Sequence, residues 1–481
     1  MFHLAKGRME GTDLWKIVHR MPKGSLLHAH MDAMFDIDFL VEQALATSGI
    51  HISASNPLLT SKDLEEEPVS FRFSAKPKTE SKGKPSLWEE GYEAASLVDI
   101  KVAAAAFPQG GEDGFRNWLR SRCVISPEHS FYHHHGVDAI WAIFQRAFPV
   151  IDSILFYEPI FRACLRRLFV QLAADGVRYV EFRIGFGLGF RREGHEESEP
   201  DHLFACQVFQ EEVERFQATE EGRNFYGARI IYSILRRFKD DQIVDFMKKC
   251  IQAKQAFPDV ICGIDFVGQE DQGRPLVDLV PVLFWFRKRC VEEGVEIPFF
   301  FHAGECLGDG DATDQNLFDA ILLGTRRIGH GFSLYKHPLL TDLVKEKKIL
   351  VECCPISNEI LRLTSSIKAH PLPALLARGV AVSLCNDDPA ILGHGKNGLT
   401  HDFWQSLQGL ENLGLEGLAM MVENSIRWSC YEDQSAAEWK ADIHDGILGE
   451  GVKAVRLQEW YADFEAFCQW IVTEYGDTAD D

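Results

Sequence analysis

Several features that would settle the chemistry early are missing from this chain of 481 residues. No segment reaches the roughly 18 apolar residues that a membrane span needs, so no membrane partner is expected. The opening stretch MFHLAKGRMEGTDLWKIVHRMPKG carries charges throughout and lacks the apolar core of a signal peptide, which predicts a cytoplasmic protein. Basic residues are in deficit: 50 Lys and Arg stand against 72 Asp and Glu, for a net charge of -22. That balance excludes a nucleic-acid surface, which needs basic patches. The 12 cysteines include no CxxC pair and no regular spacing, so neither a thiolate metal cluster nor a disulfide framework is expected. Cys262, Cys353, Cys354 and Cys385 lie inside apolar runs and read as buried reduced thiols. No internal repeat is present.

What is present is a succession of short β-type runs separated by helix-length segments. The runs are SLLHA near Leu26, VRYVEFRI at 177–184, ARIIYSIL at 228–235, ICGIDFV at 261–267, IPFFFHA at 297–303, RRIGHG at 326–331, KILVECC at 348–354 and VAVSLCN at 380–386. Most are continuously apolar, as strands buried on both faces are. Strands alternating with helices in this way predict an α/β protein with a (β/α)₈ barrel. About 150 residues separate the first two runs, far more than one crossover helix needs. An insertion is therefore placed at about 45–135. Its Lys-, Glu-, Ser- and Pro-rich part, KDLEEEPVSFRFSAKPKTESKGKPSLWEE, reads as a mobile loop. Residues 402–475 read as closing helices, and the tail GDTADD as frayed.

Polar residues recur where these strands end, the place where barrel enzymes build their sites. Run one ends in His28, His30 and Asp32; run four is followed by Gly268 and Glu270; run five by His302 and Glu305. Run six ends in His330, and run eight in Asp387 and Asp388. Residues two apart on a strand face the same way, so His28 and His30 aim at one point. Three histidines and one carboxylate from such ends suit Zn²⁺ or a similar metal. A catalytic metal needs an acid and a base beside it, and Glu305, His330 and Asp388 are the groups left for those roles.

The set HAHMDA, GIDFVGQED, FHAGE, RIGHG, CPISNEIL and SLCNDDPAILG, in this order, resembles the adenosine deaminase family. The opening MPKGSLLHAHMDA, the GQED segment and the long insertion resemble its growth-factor-related branch. The resemblance implies that His28, His30, His302 and Asp387 bind one zinc ion. It implies that Glu305 protonates purine N1 and that Asp388 hydrogen-bonds N7. It implies that Gly268 offers its N–H to N3, that Asp32 lies near the ribose 5′ end, and that Glu270 belongs to the substrate site. His330 is implied to orient and help deprotonate the attacking water and to stabilise the oxyanion that forms. The implied reaction converts adenosine or 2′-deoxyadenosine to inosine and ammonia, with adenine, AMP and N6-substituted adenosines as alternative substrates. The branch's secreted members have a signal peptide and an N-terminal helical dimerisation region, whereas this chain enters its first strand almost at once. Their inserted domain has a disulfide, whereas 45–135 here holds only Cys123. Growth-factor activity and the branch's dimer are not carried over, and the oligomeric state stays open.

Other residues draw blander readings. His133, His134 and His135 are consecutive and do not converge easily on one ion, so they read as loop or rim residues. Trp141 reads as a core residue that could also stack on a sugar or base. Glu181 and Arg183 read as an ion pair within the barrel. No run of Lys or Arg falls at the strand ends to receive a phosphate. Three other functions are weighed. A cytidine-deaminase-type site needs an H-x-E motif with P-C-x-x-C, which is missing. A binuclear barrel hydrolase usually needs a bridging lysine or carboxylate, and run four lacks lysine. A non-catalytic signalling or binding protein on the same barrel would be expected to have lost a ligand or Glu305.

Overall fold

The computed structural model describes residues 2–75, 86–130, 135–187, 189–396 and 398–476. The strands in chain order are β1 (Gly24–His30), β2 (Ile50–Ala54), β3 (Val69–Phe73), β4 (Val98–Asp99) and β5 (Val177–Ile184). They continue as β6 (Gly227–Leu235), β7 (Ile261–Val267), β8 (His302–Ala303), β9 (Arg327–His330), β10 (Leu350–Cys353) and β11 (Val382–Leu384). Two parallel four-stranded arcs, β1-β5-β6-β7 and β11-β10-β9-β8, form the barrel wall. Isolated parallel bridges Ile264–Phe299 and Ala29–Asp387 join the arcs at both seams. The fold is the (β/α)₈ barrel, and each strand is followed by the helices that cover it.

Continuous burial is what made these strands recognisable: β7 is buried at every position. The fifth barrel strand is shorter than expected, with ladder pairing confined to His302–Ala303. The ring of Phe300 packs so close to Gly263 that a Cβ there would lie 2.3 Å from it.

The insertion departs from its loop reading. Ser61–Glu66 is a helix capped by Thr60, and Val69–Phe73 is the strand β3. β3 pairs antiparallel with β2, with Phe71 opposite Ile52, and β4 adds a third strand. Val69 and Phe71 are buried while Ser70 and Arg72 are exposed, so a period-two pattern lay inside the charged composition. Residues 76–85 of that stretch fall outside the described ones. Two helices, Phe2–Met9 and Asp13–Arg20, precede β1, which corrects the expectation of an immediate first strand. The backbone N–H of Phe2 donates to Glu359 at 2.5 Å, docking the N-terminal helix on the segment after β10. Closing helices run over Gly398–Gly409, Gly414–Arg427, Ala436–Asp445 and Val452–Tyr475. Residues 477–481 of the tail fall outside the described ones. All 12 cysteines are free, and all but Cys468 are buried. Among the described residues no helix is long and apolar enough to cross a membrane.

Glu181 and Arg183 are ionic but not partnered with each other. Arg183 pairs with Asp265 and Glu352, each at 2.7 Å, and Glu181 pairs with Arg327 at 2.6 Å. Arg327 also reaches Glu352 at 2.5 Å. On one strand two residues of the same face stand side by side, and groups on other strands meet them better head-on across the barrel. Burying such charges is costly unless each is paired, so this network is satisfied almost throughout.

Candidate active site

His28 and His30 stand at the end of β1, His302 on β8 and His330 at the end of β9. Asp387 follows β11 and is held against β1 from both sides. Its N–H donates to the His28 carbonyl at 3.2 Å, and its own carbonyl accepts from the His30 N–H at 2.9 Å. One donor atom from each of His28, His30, His302 and Asp387 lies within 4.8 Å of the others. His28 Nε2 is 3.1 Å and His30 Nε2 3.4 Å from Asp387 Oδ1.

The rings are turned by carboxylates behind them. His28 Nδ1 meets Glu352 Oε2 at 2.8 Å, and His302 Nδ1 meets Asp265 Oδ2 at 2.6 Å. Each carboxylate accepts a hydrogen bond from the Nδ1–H, which turns each Nε2 to the centre. Burial would raise Glu352, but Arg183 and Arg327 outweigh it and hold the carboxyl well below the usual carboxylate range. Burial pushes His30 down to about 3 and His302 well below the imidazole range, so both rings are neutral. Gly329 makes the space: a Cβ there would lie 2.9 Å from the His28 ring.

A cation fits this arrangement. His28 Nε2 and Asp387 Oδ1 are buried and have no hydrogen-bond partner among the described residues, although they lie 3.1 Å apart. Burial and Arg183 would lower His28, but Asp387 and Glu352 outweigh them and raise it, so the gap between Nε2 and Asp387 Oδ1 favours a positive charge, a proton or a metal ion. Three imidazole nitrogens and one carboxylate oxygen are a donor set suited to zinc. A second grouping joins Cys354 to His28, His330 and Asp387, but burial pushes the Cys354 thiol up, away from the thiolate form that binds metal.

Glu305 and Asp388 face the same centre. Burial, and then the charge of Asp387, raise both carboxyls well above the carboxylate range, which favours their acid forms. Glu305 Oε1 lies 3.4 Å from His330 Nε2. His330 and Asp387 both have left-handed backbone, with φ of 63° and 59°. Non-glycine residues adopt this only where their surroundings enforce it, commonly at functional sites. These groups form one end of a cavity of about 450 Å³, whose wall includes Asp32, Gly268 and Trp141.

Two expected placements are corrected. Glu270 does not line the cavity: its carboxylate accepts from the backbone N–H of Gly304 at 3.2 Å and of Glu305 at 3.4 Å, and from Asn316 at 3.1 Å. It holds the Glu305 turn from beneath. Arginines do stand at a strand end: Arg236 and Arg237 follow β6 and both line the cavity. Arg236 is buried and donates to the carbonyls of Phe266 and His302 at 3.0 and 3.2 Å. Of the three adjacent histidines, His135 is exposed, and His133 and His134 fall outside the described residues.

Sequence reasoning missed Asp265 and Glu352, the carboxylates behind the ligand rings. Their signal was a lone acid inside an apolar strand, which is stable only when paired. It also missed Asp152, whose carboxyl lies in the cavity wall hydrogen-bonded to Asp32. Ser357 and Asn358 sat within the quoted CPISNEIL segment without a role. Ser357 Oγ donates to Asp387 Oδ2 at 2.6 Å, and Asn358 Nδ2 stands 3.3 Å from His330 Nδ1.

A family model described as Adenosine deaminase matches residues 128–447. Adenosine deaminase 2-A of Danio rerio is 30% identical over 443 residues, covering 91% of this chain and 81% of that protein. An adenosine deaminase of Lutzomyia longipalpis is 32% identical over 451 residues, covering 92% and 81%. Among solved structures, an N6-mAMP deaminase of Arabidopsis superposes with a TM-score of 0.55 at 15% identity, covering 90% of this chain and 100% of that one. The structural likeness supports the barrel. The family match and these relatives go further: this chain is an enzyme and belongs to the adenosine deaminase family of hydrolases.

Proposed function

We propose that the chain converts adenosine and 2′-deoxyadenosine to inosine and ammonia, with one zinc ion held by His28, His30, His302 and Asp387. The observation that carries this is the placement of two buried carboxyls, Glu305 and Asp388, beside that donor set at one end of the cavity. A purine ring presents lone pairs at N1, N3 and N7, and a site for it must offer hydrogen-bond donors. Burial favours the acid forms of Glu305 and Asp388, and Gly268 offers a backbone N–H. When bound, zinc supplies a water whose pKa is lowered towards neutrality. As C6 becomes tetrahedral, electron density moves to N1, and Glu305 holds the proton that stabilises it there. Asp388 holds a proton towards N7 and fixes the ring. The apolar wall around Trp141, Phe144 and Phe148 excludes water from the base. The Danio rerio and Lutzomyia longipalpis relatives, both named as adenosine deaminases, agree with this substrate.

A second reading, with a 5′-monophosphate as substrate, draws on Arg236 and Arg237. Arg236 is held by the carbonyls of Phe266 and His302 and lies 3.9 Å from Glu270, beneath the Glu305 turn, which leaves exposed Arg237 as the arginine free to meet a phosphate. Against it stand Asp32 and Asp152, which would meet a phosphate with carboxyls. On the wild type, kcat/KM for adenosine and 2′-deoxyadenosine is expected to exceed that for AMP by about 100-fold. Asp32→Ala is expected to lower the adenosine value by about 10- to 100-fold, the worth of a hydrogen bond to a charged group, and to leave adenine unchanged. AMP matching adenosine on the wild type contradicts the nucleoside reading. Adenine beating adenosine shows that the ribose is not recognised.

A further inference from the structure

The CPISNEIL segment places two consecutive side chains beneath His330 and Asp387, two site residues with left-handed backbone. Ser357 holds Asp387, and Asn358 meets His330. Behind Asn358 lies His370, and behind His370 the backbone N–H of Leu372. We infer that Asn358 and His370 are positioning residues that fix His330 as the tautomer protonated on Nε2, so that His330 reaches the reaction centre as a hydrogen-bond donor.

The order of the bonds follows from one group that has no choice. Leu372 is the first residue of the helix Leu372–Ala377, so its N–H has no partner within that helix. It points 3.0 Å from His370 Nδ1. A backbone N–H only donates, so His370 Nδ1 carries a lone pair and the ring proton is on Nε2. That Nε2–H lies 3.0 Å from the amide of Asn358, which must therefore present its oxygen, Oδ1. The amide nitrogen is then on the other side, 3.3 Å from His330 Nδ1. An amide –NH₂ only donates, so His330 Nδ1 carries a lone pair too. The single proton of His330 is left on Nε2. The order holds while both rings are neutral, and it fixes the Asn358 amide with its oxygen towards His370.

His330 Nε2 is buried, has no hydrogen-bond partner among the described residues, and faces Glu305 Oε1 at 3.4 Å and Asp387 Oδ2 at 3.8 Å. It is aimed into the site with a proton to give. A donor there stabilises negative charge growing on the oxygen that attacks C6. Of the roles the family resemblance implied for His330, this tautomer fits stabilisation of the oxyanion, whereas accepting a proton at Nε2 first requires the ring to lose the one it holds there. Naming C6 and its oxygen rests on the proposed deaminase reading; the direction of the hydrogen bonds does not.

The test uses the zinc-loaded enzyme and Asn358→Asp. The side chains have the same shape, but a carboxylate accepts, so it draws a proton onto His330 Nδ1. Turnover of adenosine is expected to fall about 10²- to 10³-fold with KM and zinc content unchanged, the cost of losing one such donor. Nitrogen-15 NMR of histidine-labelled enzyme without substrate gives a second readout, with the His330 signals identified from His330→Gln. The wild type is expected to show a proton on Nε2 and none on Nδ1, and Asn358→Asp a proton on Nδ1. His370→Gln keeps an N–H towards Asn358 and is expected to retain most of the turnover that His370→Leu loses. An Nδ1-protonated His330 in the wild type overturns the inference. So does turnover by Asn358→Asp within about threefold of wild type. If Asn358→Asp does not fold, the wild-type spectrum and the His370 pair decide. If adenosine proves not to be a substrate, the deaminase reading fails while the spectrum still settles the tautomer.

Discussion

Glu305→Gln is expected to cost about 10²- to 10⁴-fold in kcat on adenosine while zinc content and folding stay as in the wild type, because general acid catalysis contributes that much. The amide has the size of the carboxyl and still donates to N1, so substrate binding is expected to change little. It has no acidic proton to transfer. Burial, and then the charges of Asp387 and Glu270, raise Glu305 well above the carboxylate range and so favour its acid form. The turn that bears it is held by Glu270, which spans the Gly304 and Glu305 amides and Asn316. Kinetics with a parallel zinc determination check this. Turnover near the wild-type value with zinc in place removes Glu305 from the role of proton donor.

His302→Ala is expected to lose both metal and turnover. It removes one of four donors and leaves Asp265, which accepts from the His302 Nδ1–H at 2.6 Å, facing a gap. The zinc affinity is expected to fall by well over 100-fold, since even the groups behind metal ligands are worth about 10- to 100-fold. Asp265→Asn, which leaves all four donors in place, is expected to fall within that smaller range. Equilibrium dialysis against a zinc-buffered series measures both. A His302→Ala protein that retains stoichiometric zinc contradicts the ligand assignment.

The barrel was legible because its strands are buried on both faces, and a continuous apolar run survives any detail of packing. β3 was not legible in the same way. Its inward Val69 and Phe71 alternate with Ser70 and Arg72 inside a charged, proline-bearing stretch, and only pairing with β2 gives that alternation a meaning. The site residues at strand ends were legible because a polar group that follows an apolar run has to stand at the barrel mouth. The carboxylates one step behind them were not. Asp265 and Glu352 lie within strands, and only the fold shows that each meets a histidine on one side and an arginine on another. Arg183 joins the two, so the barrel's ionic core and the orientation of two ligand rings are one structure. Glu181 and Arg183 looked like partners because they are two residues apart, but their partners come from other strands. Glu270 was placed with the substrate because it follows a strand end, but its side chain turns beneath the Glu305 turn. Arg236 and Arg237 escaped notice because two arginines do not make a run.

Metal reconstitution decides whether the chain is a one-metal purine nucleoside deaminase. The purified enzyme is stripped of metal, zinc is added in steps, and inosine formed from adenosine is measured at each step. Turnover is expected to be absent without zinc, to rise linearly, and to reach a plateau at one zinc per chain. A plateau at two equivalents, or no inosine from the fully loaded enzyme, rules out a one-zinc adenosine deaminase.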